Sequence, residues 1–598
     1  MFSATPRALA WLALAAAVVA WPWVANGTWT TIAMMVGINV LLAQSINVLT
    51  GYAGQISLGQ AGFFAIGGYG SALLMIELGW PLWLSLPAGV ALSMFVGLLL
   101  AIPAGRVQEF YLAMVTMAFG LVVQVIVKQS DITGGFQGLS GVHSPVLGTL
   151  TLFKVPVSER GYYYLICLMV VGASWFQVNL IRSYFGRAFV AVETSEIAAA
   201  SLGISPGAYK RRAYVTSAGL AGLAGVLYAH LMAFLGFETF SLWQSASILV
   251  MAVLGGLGTF VGPFLGATVL TVLPHTLQIF QTHQLLIYGM LLLVSYVAFP
   301  RGLAGFLRNR SSFLKMLPGP VVSGQAPAAT PASRGDTVVP TGTPLLAVEG
   351  LQKAFSGVIA VNSVSMRVGS GMIHGLIGPN GSGKTTLVNL MTGVYRLDGG
   401  AVTFGGERID GFKLFQVARR GLVRTFQNPH IFRRLTVREN VIVGAHRHFL
   451  SGFWATVTNL GPARGEEAAM IQRADQILVQ LGLADRADEL AVDLPYGMQR
   501  MVDVARVMMC RPRMIILDEP AAGLSEVELE HLARVLRALR DGGVTILLIE
   551  HHLDFLLGLV DLVTVLEYGE TIFEGTPAEV RRDERVIEAY LGAANART

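Results

Sequence analysis

The chain has 598 residues, which is too long for one ordinary domain, so at least two are expected. Hydrophobic residues make up 53% and charged residues 13%, against roughly 25% charged in soluble proteins, which excludes a wholly soluble chain. The formal charge of +5 does not indicate a nucleic-acid partner, because the basic residues near the apolar segments cluster in short loops, as in membrane proteins. Two cysteines, Cys167 and Cys510, exclude a disulfide framework and a cysteine metal site.

The apolar residues are concentrated in the first half of the chain. A membrane-spanning helix needs about 20 mostly apolar residues. We predict spans at roughly 8–25, 30–50, 59–77, 81–104, 109–128, 162–180, 213–235, 245–273 and 284–300. The first could be a cleaved signal peptide, but more spans follow directly, so an uncleaved first helix is expected.

Basic residues and a parity argument set the topology. Five basic residues in the loop 181–212 place it in the cytoplasm. The soluble half must also be cytoplasmic, so the chain crosses an even number of times in between. The stretch 245–273 meets this condition if it splits at Gly255, Gly256, Gly258, Gly262 and Pro263, which gives ten spans.

A second glycine cluster interrupts the early spans. It lies within 51–60 and continues at Gly67, Gly68 and Gly70. Two explanations stay open: a transport site built from interrupted helices, favoured by the polar residues at 44, 47, 55, 57 and 60, or close helix packing through small residues.

Composition divides the chain into three parts. Residues 1–317 are predicted to form the membrane domain, with a coupling loop at about 181–212. Residues 318–345 are rich in Pro, Ala, Gly, Ser and Thr and predict a flexible linker. Residues 346–598 predict a soluble α/β domain.

The soluble part contains a phosphate-binding loop. It follows a strand-like run and precedes a helical run, and it consists of Gly378, Pro379, Asn380, Gly381, Ser382, Gly383, Lys384, Thr385 and Thr386. The loop predicts ATP binding: Lys384 would reach the β- and γ-phosphates, and Thr385 would help to hold Mg²⁺.

A strand ending in two acids follows some 130 residues later. Asp518 suits the Mg²⁺ shell, and Glu519 suits the polarisation of an attacking water. A solvated loop would explain such a pair on its own, but its place after a phosphate loop favours a nucleotide-hydrolysing site.

Residues 346–592 resemble the ATPase domain of ABC transporters. The resemblance implies that Gln427 contacts the metal and water, and that His551 contacts the γ-phosphate as the switch histidine. It also implies that Phe355 stacks on adenine, although a core phenylalanine remains an alternative, and that Gly497 belongs to the signature motif. The signature reads Leu494-Pro-Tyr-Gly497 without the usual serine, and Ser525 replaces the usual aspartate. The resemblance implies that two ATPase domains share two ATP sites, and these departures put the equal activity of the two sites in doubt.

Both halves resemble the branched-chain amino acid importer family. The soluble half does so through Tyr496 and its C-terminal stretch 574–592, and the membrane half through 51–60, 186–203 and 253–258. The expected fold is a two-domain membrane protein: an all-α polytopic permease of about ten spans, and an α/β P-loop ABC ATPase domain.

The resemblance also implies function and partners. It implies ATP-driven import of branched-chain or related hydrophobic amino acids across the bacterial cytoplasmic (inner) membrane. A second permease and a second ATPase subunit are expected, as a hetero-assembly rather than a homodimer, together with a periplasmic or surface solute-binding protein.

Alternatives remain within and outside this family. The same machinery could import urea, short amides or aromatic acids. An ATP-binding exporter is opposed by the predicted number of short spans, and a channel regulator is opposed by Glu519 and His551, which favour hydrolysis.

Overall fold

A computed structural model describes most of the chain in two compact units. The residues described are 6–104, 109–145, 148–152, 155–276, 287, 289–290, 293, 302–310, 344–459 and 461–595. The first unit comprises residues 1–189 and 207–321, and the second comprises 190–206 and 322–598. Most of the predicted linker, 318–343, lies outside the described residues.

The first unit is built almost entirely of helices, and its only described strands are the short pair β1 (Thr151–Leu152) and β2 (Val155–Pro156). Its helices are α1 (Pro6–Val24), α2 (Gly27–Ile46), α3 (Gln60–Leu78), α4 (Leu82–Ala104), α5 (Glu109–Gln129), α6 (Glu159–Arg182), α7 (Tyr184–Thr194, which continues into the second unit), α9 (Pro206–Met232), α10 (Leu242–Gly255), α11 (Gly262–Thr276) and α12 (Gly302–Arg310). A short π-helical turn, Asn47–Tyr52, extends α2.

The described part of the chain contains six helices long and apolar enough to cross a membrane, so the expectation of about ten spans was wrong. The six run over Gly27–Tyr52, Gln60–Leu78, Leu82–Pro103, Tyr111–Gln129, Glu159–Arg182 and Pro206–Met232. The stretch 245–273 does split at its glycines, but α10 and α11 have only 14 and 15 residues, or about 21–23 Å each, against a hydrocarbon core of about 30 Å. The predicted last span, 284–300, lies largely outside the described residues.

Asn47 connects the two interrupted segments of the first unit. Its side-chain amide donates to the carbonyl of Thr259 at 2.9 Å, and its oxygen accepts from the N–H of Gly258 at 2.7 Å. Both backbone groups belong to the break between α10 and α11. Because an unpaired backbone group in a membrane costs several kcal/mol, Asn47 supplies the partners that this break requires.

The glycines of α3 lie where backbones meet. A Cβ on Gly67 would stand 2.3 Å from the carbonyl oxygen of Gly222 in α9. A Cβ on Gly225 of α9 would in turn lie 2.0 Å from the carbonyl oxygen of Phe64 in α3. Gln60, one of the polar residues beside them, donates to Ser217 Oγ at 3.1 Å. Among the described residues these contacts favour close packing as the reason for the glycines.

The second unit contains two sheets. The larger has the order β12–β11–β5–β10–β9–β8, in which all neighbours are parallel except β11 and β12. The smaller is antiparallel, with the order β4–β3–β6–β7. The strands are β3 (Pro344–Phe355), β4 (Val358–Gly369), β5 (Ile373–Ile377), β6 (Gly399–Phe404), β7 (Glu407–Arg408), β8 (Leu422–Arg424), β9 (Met514–Asp518), β10 (Thr545–Ile549), β11 (Leu562–Glu567) and β12 (Glu570–Gly575).

Helices surround these sheets. They are α8 (Glu196–Ser201), α13 (Lys384–Met391), α14 (Leu414–Arg419), α15 (Val437–Val443), α16 (Phe453–Thr458), α17 (Pro462–Gln480), α18 (Tyr496–Met509), α19 (Glu526–Asp541), α20 (Leu553–Leu557), α21 (Pro577–Val580) and α22 (Glu584–Asn595). Every residue of β5, β9 and β10 is buried, as expected of central parallel strands. The carboxyl ends of these three strands carry most of the predicted site residues.

Candidate functional site

The predicted phosphate loop joins β5 to α13. Gly378 and Gly383 both have positive φ, 152° and 96°. A Cβ on Gly378 would lie 2.1 Å from the carbonyl oxygen of Leu566, and one on Gly383 would lie 2.4 Å from that of Ala360. Only glycine fits at these two positions, so the backbone rather than side chains forms the inner surface of the loop.

Lys384 begins α13 and points into the loop. Its Nζ donates to the carbonyls of Gly378 at 2.6 Å and Pro379 at 2.9 Å, and it lies 3.4 Å from Ser382 Oγ. Burial lowers the pKa of Lys384, and the nearby Glu519 and Asp518 carboxylates oppose that change. The ammonium is thus a buried cation held mainly by carbonyl dipoles. Thr385, the next residue, is exposed.

Asp518 ends β9 as a buried carboxylate. Its Oδ2 lies 3.5 Å from Nη2 of Arg424, a residue of β8 that is 3% exposed. Burial raises the pKa of Asp518, an effect that Arg424 opposes. Burial also lowers the pKa of Arg424 to about 10. Arg424 Nη1 donates to Asn389 Oδ1 at 2.6 Å, which ties the acid to α13.

Glu519 lies between Gln427 and His551. Gln427 Nε2 donates to Glu519 Oε2 at 2.7 Å, and His551 Nε2 lies 2.7 Å from Glu519 Oε1. These three residues come from the loops after β8, β9 and β10. The structure therefore brings together the three side chains predicted to be catalytic, while their roles stay predictions.

The two other predicted nucleotide-binding residues, Gly497 and Phe355, lie on α18 and β3. Gly497 is in the first turn of α18, where a Cβ would meet Glu528 Oε1 at 2.2 Å. Phe355 ends β3, is 40% exposed and packs edge-on against Tyr395 at 5.3 Å between ring centroids. Such exposure is not that of a core phenylalanine. Among the described contacts, none joins Gly497 or Phe355 to the cluster of Glu519, Gln427 and His551.

Three residues near the site were not predicted from the sequence. Arg424 pairs with Asp518. Arg500 of α18 donates to the carbonyls of Phe426, at 3.1 Å, and Gln427, and so holds the signature helix to the Gln427 loop. Glu550, buried directly after β10, accepts a hydrogen bond from the backbone N–H of Ala521. Their shared signal is a charged residue in or beside an apolar run, which here reflects a buried partner.

Three family models match separate stretches of the chain. Residues 28–295 match a model of the permease component of branched-chain amino acid transport systems. Residues 361–522 match the ABC transporter model, and 570–596 match a model of branched-chain amino acid ATP-binding cassette transporters.

Several known proteins are similar to part of the chain. The high-affinity branched-chain amino acid transport ATP-binding protein BraF of Pseudomonas aeruginosa is 40% identical over 252 residues, or 42% of this chain and 99% of that protein. LivG of Salmonella typhimurium, also a high-affinity branched-chain amino acid transport ATP-binding protein, is 41% identical over 252 residues, which again make up 42% of this chain and 99% of that protein. A solved structure of a nucleotide-free ATP-binding cassette from an ABC transporter is 32% identical and covers 42% of this chain and 99% of its own, with a TM-score of 0.37.

The fold and the matched models define a multi-pass membrane protein with a fused, cytoplasmic ABC ATPase, which hydrolyses ATP to drive transport. The chain belongs to the branched-chain amino acid ABC transporter family and carries a permease component and an ATP-binding cassette in one polypeptide. This family consists of importers that work with a solute-binding protein.

Proposed function

We propose that the chain imports branched-chain or related hydrophobic amino acids across the bacterial cytoplasmic (inner) membrane. The substrate class is supported by the permease model matched at 28–295 and by the names of the relatives. One observation carries the proposed mechanism: Glu519 lies 2.7 Å from both Gln427 and His551, at the strand ends beside the phosphate loop.

ATP would bind with its phosphates in the loop 378–386. Lys384, which now donates to two loop carbonyls, would turn to the β- and γ-phosphates. Gly381 and Gly383 put no side chain between the loop backbone and the phosphate oxygens, which backbone N–H groups of the loop would bind. Phe355, exposed at the end of β3, would stack on the adenine.

The residues beside the loop fit a magnesium ion. Thr385 offers an exposed hydroxyl, Asp518 a carboxylate and Gln427 an amide oxygen, and hard cations prefer such oxygen ligands. The raised pKa of Asp518 reflects a buried acid whose described cationic partner, Arg424 Nη2, is at the long distance of 3.5 Å. Bound Mg²⁺ would supply neutralisation of phosphate charge.

Glu519 would polarise the attacking water. For this it must exchange at least one of its two present contacts for the water, and Gln427 and His551, which both contact Glu519, would hold that water and the γ-phosphate. A carboxylate whose two hydrogen-bond partners are both exposed side chains suits a site that is assembled only when nucleotide arrives.

The machine would contain a second permease and a second ATPase subunit, as a hetero-assembly. Each signature completes the site on the opposite cassette in this class of ATPase. Pro495 offers no hydroxyl at the start of α18, so the site that this chain's signature completes would lack one phosphate contact. Two different cassettes would let the other site retain it.

The test is Glu519→Gln in the full chain, assembled with its partner subunits in liposomes. The variant should bind Mg·ATP but lose at least about a hundredfold in ATP turnover, since general base catalysis contributes roughly 10²–10⁴-fold, and leucine uptake should stop. Glu588→Gln, at an exposed glutamate of α22, is the matched control and should retain both activities. Normal turnover in Glu519→Gln would refute the proposed mechanism, and uptake without ATP would refute the importer.

A further inference from the structure

Glu550 is a buried acid directly after β10. It is 3% exposed, and its Oε1 accepts a hydrogen bond of 2.6 Å from the backbone N–H of Ala521. The backbone N–H groups of His551 and His552 also stabilise its charged form. A buried carboxylate is costly unless hydrogen-bonded, so its place at the ends of β9 and β10 calls for an explanation.

The Glu550–Ala521 bond connects two loops of the proposed site. Ala521 is two residues after Glu519, and Glu550 is the residue before His551. A second bond joins the same loops, from the N–H of Glu519 to the carbonyl of Ile549 at 2.8 Å. The residues that make these two bonds lie within two positions of Glu519 or His551, whose side chains are 2.7 Å apart.

The backbone of Glu519 needs such support. Its φ of +49° is in the left-handed region, which is unfavourable for a residue with a side chain. A conformation of this kind persists only where surrounding contacts fix it. The bond between Ala521 and Glu550 restrains the chain immediately after this strained residue.

We propose that Glu550 is a positioning residue, which sets the distance between Glu519 and His551 by accepting the N–H of Ala521. It touches neither nucleotide nor water in this role. The inference rests on the proposed function, in which Glu519 and His551 act together on the γ-phosphate and its attacking water. What matters is an acceptor oxygen at the reach of a glutamate side chain.

Two variants separate reach from charge. Glu550→Gln retains the length and an acceptor oxygen but has no charge. Glu550→Asp retains the charge but is one methylene shorter and cannot reach Ala521 without backbone movement. Positioning therefore predicts an active Gln variant and a slow Asp variant, whereas a requirement for charge predicts the reverse order.

The experiment measures kcat and KM for Mg·ATP in the full chain assembled with its partner subunits. We expect Glu550→Asp to lower kcat by about tenfold or more with little change in KM, because displacement of a catalytic group by about 1 Å can cost a hundredfold. Glu550→Gln should keep kcat within about threefold of wild type. If the Asp variant keeps the thermal transition of wild type, its loss of kcat is not caused by misfolding.

Other outcomes count against the inference. It is overturned if Glu550→Asp matches wild type, if the Gln variant is the slower of the two, or if KM rises while kcat holds. Should the Asp variant fail to fold, loss of kcat in a folded Glu550→Gln variant also overturns it, and near-normal kcat supports it. An inactive wild-type complex would instead contradict the proposed function itself, so the two failures are distinguishable.

Discussion

Arg419 Nε donates a hydrogen bond of 2.9 Å to the backbone carbonyl of Gly203. Arg419 ends α14, and Gly203 lies in the segment 190–206, which belongs to the same compact unit as the ATPase residues although it precedes α9 in the chain. Gly203 has a φ of +85°, and a Cβ there would lie 3.2 Å from Arg419 Cγ. Gly203 lies in the coupling loop predicted at about 181–212, so we expect this contact to transmit movement of α14 to that loop.

Arg419→Ala should therefore lower the amount of solute moved per ATP hydrolysed. A net hydrogen bond is worth about 0.5–1.5 kcal/mol, so we expect a reduction of roughly 2–10-fold, while ATP turnover persists because the nucleotide site is untouched. Uptake and phosphate release are measured in the same vesicles. Arg420→Ala is the control, since the Arg420 guanidinium instead contacts Glu407 at 2.7 and 2.8 Å. An equal drop in both variants would dismiss this bond as the route.

Asn47→Ala should destabilise the membrane unit. It leaves the N–H of Gly258 and the carbonyl of Thr259 without the partner that Asn47 supplies. Hydrogen bonds between membrane helices average about 0.6 kcal/mol and reach about 1.7, so two of them give roughly 1–3 kcal/mol. The thermal transition of the detergent-solubilised complex is the measurement. Asn39→Ala, which removes one bond of 2.8 Å to the Thr271 hydroxyl, is expected to cost less; the opposite order would contradict the assigned role.

Gly266→Ala tests the close packing of α10 and α11. A Cβ on Gly266 would lie 1.7 Å from the carbonyl oxygen of Met251, so the two helices must separate. Overpacking of this kind costs about 1–3 kcal/mol and should lower the Tm of the complex. Gly172→Ala in α6 is the matched control, because among the described residues no atom outside its own stretch of helix lies within 4 Å of its added Cβ. Equal Tm values for the two variants would mean that the helices part without cost.

The sequence predicted best those features that are contiguous in it. The phosphate loop between β5 and α13 and the acid pair after β9 depend on residues that are neighbours in the chain, and a fixed spacing reveals them. The break between α10 and α11 was likewise predicted from its own glycines. The number of spans was not, because hydropathy alone does not measure the length of each half of a broken helix.

Partnerships between distant segments were beyond the sequence. Arg424 and Asp518 are 94 positions apart, and Asn47 and Gly258 are 211 apart. A side chain's type indicates that it needs a partner, but only the order of strands and helices determines which partner it meets. The carbonyl of Gly203 carries even less signal, since every residue has such a group.

Glu550→Gln should change how the stability of the ATPase unit depends on pH. Burial raises the pKa of Glu550 from its ordinary 4.5 to about 7. The folded protein thus holds this proton more tightly than the unfolded chain, so this residue's contribution to stability falls as the pH rises from about 4.5 to 7, and remains low above that window.

Glutamine cannot ionise, so the variant should match wild type near pH 5 and exceed it near pH 8. The difference between 4.5 and about 7 corresponds to at most roughly 3 kcal/mol. The thermal transition of the ATPase unit, followed in the full chain at both pH values, is the measurement. Glu588→Gln, which removes an exposed carboxylate of α22, should leave the wild-type pH dependence unchanged. A Glu550→Gln advantage of the same size at pH 5 and pH 8 would mean that this carboxyl is not held protonated by its burial.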